Sequence, residues 1–263
     1  MHEFSSYGEV VAAIADPALA PVPPAEECPG ARITVGTAAW LRAGVARFAS
    51  GATHARRRAI VEADLAGIDG DSLRLAARAG YGDVRLIAVG VLAEKLGLGA
   101  GRVAAEDVLV VAGVYFGGES AEADAAVARL VDAFVAVDPD ADLETVANRI
   151  GLLVQACDAT ASLVACARER ARSLLDDDVD ALLASTLRDD PPVRTMRRVA
   201  LRDTCVGGVD VAAGDLVTLD VAAASLDPQA AASPPLTFGA EPRRCPGSRH
   251  ALALAAGILE RTS

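Results

Sequence analysis

Three features of this sequence predict a mainly helical fold with a small β region late in the chain. Long stretches carry apolar residues at helical spacing, separated by Gly, Pro and Asp breakers. The composition is 52% hydrophobic but only 3% aromatic, so the core is built from Ala, Val and Leu, which suits helices. From about residue 199 the pattern shifts to short β-branched runs with glycine turns, which lead to a cysteine-bearing loop and a last apolar helix.

In chain order, Tyr7–Ala15 reads as a short amphipathic helix stopped by Asp16-Pro17, and Pro21–Gly30 as a proline-rich loop. Trp40–Phe48 predicts a short helix and Thr53–Leu65 a basic one. Asp83–Leu96 is strongly apolar and ends at glycines 97, 99 and 101. Ala104–Phe116 and Ala121–Val137 follow, separated by Gly117-Gly118. Leu143–Leu174 is long and apolar nearly all round its middle, the mark of a helix buried on most faces. Asp178–Arg188 is a further helix, closed by Asp190-Pro191-Pro192. Short strands are expected at Val199–Ala200, Gly208–Val211 and Leu216–Leu219, and a final helix at Ser248–Leu259. Residues 1–263 are read as a single domain.

The net charge of −11 argues against a general nucleic-acid binder. Lys95 is the only lysine, so nearly all cationic groups are arginines, which suit carboxylate and phosphate recognition. Five cysteines without CxxC spacing (28, 157, 166, 205 and 245) read as thiols of a reducing cytoplasm. The three histidines show no zinc-ligand spacing with them. The N-terminus lacks a signal-peptide core, and no apolar run is expected to span a membrane.

The most informative stretch is Phe238-Gly-Ala-Glu-Pro-Arg-Arg-Cys245-Pro-Gly247. A cysteine at the mouth of a helix meets the positive end of the helix dipole, and two arginines precede it. Both favour a thiolate, a natural axial ligand for haem iron. The stretch resembles the cysteine-ligand loop of cytochromes P450, F-x-x-G-x-R/H-x-C-x-G. Phe238, Arg243, Cys245 and Gly247 match, while Glu241 replaces the second glycine and so demands a different backbone or strain.

Other matches follow in the family's order. His54-Ala-Arg-Arg-Arg58 resembles the H-x-x-x-R of the C helix, with both ends at i, i+4 on one face. Arg198 matches the arginine before the β region. The resemblance implies that His54, Arg58, Arg198 and Arg243 bind the haem propionates. Ser6–Pro17 resembles the B helix and its turn, and Ala222–Pro228 the K′ region. Gln155-Ala-Cys-Asp-Ala-Thr-Ala161 resembles the I-helix A-G-x-D/E-T-T-A. There Asp158 takes the acid position, Ala159 replaces the first threonine, and Thr160 is offset by about 100° of helical rotation. The resemblance makes Asp158 and Thr160 catalytic candidates for proton delivery, with Ala156 and Ala159 beside the haem.

Departures are expected too. The chain is short for the family, starts at the B helix without the N-terminal strands, and leaves little room for helices H and J or the meander. Ser185 stands at the glutamate of E-x-x-R while Arg188 remains, so Arg188 is expected to pair with backbone carbonyls or a nearby acid.

A soluble, cytoplasmic protein is expected from the lack of a signal-peptide core and of a membrane-length run, and the resemblance implies a reduced P450-like oxidoreductase with haem b ligated by Cys245. It would act on a small metabolite in specialised metabolism. No flavin or nicotinamide fingerprint is present, so a ferredoxin-type partner would supply electrons. A shortened shell that exposes apolar surface is compatible with a homodimer. Two alternatives stand beside this reading. Ala159 suits a redox-neutral lyase, isomerase or dehydratase, and the deletions suit a non-catalytic auxiliary protein, against which the retained Cys245 argues.

Overall fold

The computed structural model describes residues 2–22, 33–99, 101–171, 178–230 and 233–261. Cys28, most of the Pro21–Gly30 loop and the end of the predicted Leu143–Leu174 helix lie outside them. The chain divides into two compact units, residues 1–24 with 165–248 and residues 25–164 with 249–263.

The first unit is built on a four-stranded sheet of β1 (His2–Phe4), β2 (Leu19–Pro21), β3 (Thr195–Ala200) and β6 (Leu216–Asp220). Their order is β1-β6-β3-β2. β1 runs parallel to β6, whereas β3 is antiparallel to both β6 and β2. A separate hairpin pairs β4 (Thr204–Val206) with β5 (Val209–Val211). Strands thus flank the first helix on both sides, which corrects the expectation of a chain that begins at that helix. Short strands bury few residues each, and their periodicity is too brief to read; pairing with distant β3 and β6 creates them.

Helix α1 (Tyr7–Ala15) begins with a capping box: the Ser6 hydroxyl donates to Glu9 at 2.6 Å, and the Glu9 amide donates back to Ser6 Oγ. Its face of Val10, Ala13 and Ile14 packs with Phe4, Leu19, Val206, Val217, Leu219 and Leu236 into one core. Alternation along β6 places Val217 and Leu219 inside. Helices α9 (Val179–Asp189) and α10 (Val221–Leu226) complete the unit, each N-capped by an aspartate, Asp178 and Asp220.

The second unit is helical in its described residues. It holds α2 (Ala38–Gly44), α3 (Gly51–Ala66), α4 (Gly70–Ala79), α5 (Val84–Lys95), α6 (Gly101–Ala112) and α7 (Ala121–Val137). To these it adds most of α8 (Leu143–Ala171) and α11 (Ser248–Leu259). Asp69, Asp83 and Ser120 cap α4, α5 and α7 through their side-chain oxygens. Helix α4 is not among the sequence expectations, although Leu73 and Ala77 form a buried i, i+4 pair behind the Asp69 cap.

The start of α8 is fastened to the turn after α2 by one buried amide. Asn148 accepts from the Ala46 amide at 2.8 Å and donates to the carbonyls of Gly44 and Glu144. One turn on, Gly151 allows close approach: a Cβ there would lie 2.7 Å from Val45 Cγ1. By length and composition α8 could cross a membrane, contrary to the expectation that no run would. Half of its most apolar window is buried within the fold.

Candidate functional site

The cysteine loop lies in the first unit. Leu236–Phe238 forms a 3-10 turn, after which Gly239 takes a positive φ of 74° that an L side chain resists. The loop closes through short backbone bonds: Gly239 N to Leu236 O at 2.7 Å, Arg243 N to Ala240 O at 2.9 Å, and Cys245 N to Phe238 O at 2.7 Å. No described residue other than glycine has positive φ, so Glu241 adopts an ordinary conformation and its peptide to Pro242 is cis. The strain that a missing second glycine could impose is absent, because Gly239 makes the left-handed turn.

Cys245 is left exposed just before α11, while Phe238, Arg243 and Gly247 are half-buried around it. Arg198 sits on β3 with 3% exposure, and its guanidinium donates to the Arg197 carbonyl at 3.0 Å. An accessible thiol with Arg198 and Arg243 in the same unit is a donor set that fits a haem: a soft axial ligand and cations for carboxylates.

His54 and Arg58 lie on α3 in the second unit, both half-buried. The Arg58 guanidinium bonds Glu62 at 2.7 Å, one turn along the same helix. The two arginines between them have structural work. Arg57 donates to the Ala43 carbonyl at 2.7 Å and to Glu144, and Arg56 meets Glu144 as a two-pronged pair. Glu144 thus ties α3 to the start of α8, a role that the run of arginines did not disclose.

On α8 the motif residues divide between faces. Cys157 and Thr160 are buried, and the Thr160 hydroxyl has no hydrogen-bond partner among the described residues. Burial, with the Asp158 carboxylate beside it, pushes the Cys157 thiol up to about 12. Ala159 is exposed and Ala156 half-exposed. The Asp158 side chain, 68% exposed, lies 3.9 Å from the Arg85 guanidinium of α5, which also meets Asp83. Arg85 was not a sequence candidate. The i+2 spacing from the α5 cap was visible, but its approach to α8 is tertiary.

Around Ser185 the expected arrangement is not found. Arg188 is exposed and makes no hydrogen bond or ion pair among the described residues. Instead Arg170, near the end of α8, donates to Ser185 Oγ at 2.9 Å and pairs with Asp189. Helix α9 turns Ser185 and Arg188 to different surroundings, and the cation nearest Ser185 comes from another helix.

No protein-family model matches this chain, and no curated protein matches it. Solved structures do. P450BioI in complex with an acyl carrier protein ligated to hexadec-9Z-enoic acid shares 18% identity at a TM-score of 0.70, over 98% of this chain and 82% of that one. The cytochrome P450 enzyme CxnD for C–S bond formation in chuangxinmycin biosynthesis shares 17% at 0.67, over 98% and 78%. The open form of cytochrome P450 EryK from S. erythraea shares 19% at 0.68, over 98% and 81%. The fold is that of the cytochromes P450, mainly helical with a small β region.

Proposed function

We propose that this chain is a single-domain, haem-thiolate oxidoreductase of the P450 type that acts on a small metabolite in specialised metabolism. The observation that carries the reading is Cys245: an exposed thiol at the start of α11, on a loop closed from Phe238. Haem b, when bound, supplies the one-electron iron chemistry that side chains lack. Cys245 would be its axial ligand, with His54, Arg58, Arg198 and Arg243 toward the propionates. Phe238, Gly247, Ala156 and Ala159 would pack against the ring. Asp158 or Thr160 would hold or pass a proton. Electrons would come from a ferredoxin-type donor, in the cytoplasm, and a homodimer is compatible with the shortened shell. The test is the ferrous carbon-monoxide spectrum of the haem-loaded protein. The thiolate-type Soret band is expected in the wild type and lost in Cys245→Ala; an unchanged band in that variant sinks the assignment.

One observation favours a second reading. Ala159 offers no hydroxyl, Thr160 is buried, and Asp158 is engaged by Arg85, so the aligned acid and alcohol of dioxygen activation are missing. A redox-neutral lyase, isomerase or dehydratase needs no such pair. Product formed without dioxygen, reductant or peroxide would establish it, and strict dependence on reductant and dioxygen would exclude it.

A further inference from the structure

Along the middle of α8, the exposed residues are Gln155, Asp158, Ala159 and Ser162, spaced so that they share one stripe. Their chemistry differs. Ala159 has no polar group, and Asp158 is drawn to Arg85 at 3.9 Å. The Ser162 hydroxyl rotates to suit either a donor or an acceptor and therefore selects neither. Gln155 is anchored: its Nε2 donates to the Gly151 carbonyl at 2.9 Å. That bond fixes the amide orientation, because the flipped amide would set two oxygens against each other. Oε1 is then held away from the helix backbone, and it accepts no hydrogen bond among the described residues. In the motif that this segment resembles, position 155 carries an alanine, which offers no side-chain acceptor.

Resting on the P450-type reading above, in which Ala159 of this stripe would pack against the haem and Asp158 would hold a proton, we propose that Gln155, one turn before Ala159, is a specificity-determining residue that selects substrates bearing a hydroxyl or N–H donor. An acceptor already fixed by its own helix loses little freedom on binding. A substrate with a donor satisfies Oε1, whereas one without it strips water from the oxygen and leaves it unmade. One neutral hydrogen bond corresponds to roughly 3- to 10-fold in affinity.

The test uses matched probes, the primary alcohols from hexanol to dodecanol against their methyl ethers. Dissociation constants are read from the spin-state difference spectrum of the haem-loaded protein. The chain-length series lets the donor reach different depths. Wild type should bind the alcohol about 3- to 10-fold more tightly than its ether at one or more lengths. Gln155→Leu should bring that ratio to about one, while Gln155→Glu, which keeps an acceptor but loses the Nε2 bond to Gly151, should hold it above one. A wild-type ratio near one at every length overturns the proposal, as does a ratio unchanged in Gln155→Leu. If Gln155→Leu fails to fold, the wild-type series and Gln155→Glu decide. A protein that takes up no haem overturns the P450-type reading and this proposal together. Haem uptake without donor selectivity overturns this proposal alone.

Discussion

Two buried threonines predict opposite effects from one substitution. Thr186 on α9 donates to the Leu182 carbonyl at 2.8 Å, and Thr160 on α8 is buried to the same degree with its hydroxyl unpartnered among the described residues. Thr→Val keeps the β-branched shape and exchanges a hydroxyl for a methyl, with little change in helix propensity. At position 160 the exchange removes a desolvated group that no bond offsets. An unmade buried hydrogen bond costs about 1–3 kcal/mol, so Thr160→Val should stabilise by about 1–2 kcal/mol. At position 186 a made bond is lost, with a net worth of about 1 kcal/mol. The Leu182 carbonyl still accepts from Ser185 Oγ at 3.0 Å and is not orphaned, so Thr186→Val should destabilise by about 1 kcal/mol and no more. The assay is urea unfolding of the as-purified proteins, compared at constant slope. The two midpoints should move to opposite sides of the wild type. A Thr160→Val variant that loses as much as Thr186→Val would show that the Thr160 hydroxyl is bonded, and it would restore Thr160 as a polar element of α8.

Cysteine alkylation near neutral pH should modify exposed Cys205 quickly and leave Cys157 intact, since burial and Asp158 push that thiol up to about 12. Bound haem should protect Cys245 and leave Cys205 reactive. Peptide mapping that finds Cys157 labelled as fast as Cys205, or Cys245 unprotected, contradicts this. Ser185→Glu should gain about 0.5–1 kcal/mol by pairing with half-exposed Arg170. A double-mutant cycle should show the gain vanish with Arg170→Ala and persist with Arg188→Ala; the reverse would restore the E-x-x-R pairing. Asp227 accepts the Gln229 and Tyr7 amides, which hold its carboxyl below the usual range, and Asp215 is lowered by its bond to His2. Their folded pKa values lie below the unfolded value of about 3.9, so their stabilisation is present above that pH and is lost as pH falls through the folded values. Asp227→Asn should flatten part of this acid limb, and an unaltered acid-unfolding curve would refute the role.

Much of the helical framework was legible because amphipathic periodicity and capping are local. Tyr7–Ala15, Ala121–Val137 and Ser248–Leu259 follow the expected bounds, and Asp83 and Asp178 are N-caps of helices that start one residue later. The cysteine loop was legible because residue types at fixed spacing in one short segment carry its chemistry. The β1 and β2 strands were not, because three residues show no period and exist by pairing with residues near the other end of the chain, as His2 does with Val217 and Leu19 with Ala200.

The sequence by itself therefore determined most of the helices, the β patch before the loop and the candidate thiol, all of which depend on neighbours along the chain. Only the tertiary structure decided which side chains meet. It set Arg170 rather than Arg188 beside Ser185, and turned Asp158 toward Arg85 while burying Thr160. Adjacent helical residues point about 100° apart, so what each faces is chosen by the helix packed against it, information that no single segment contains.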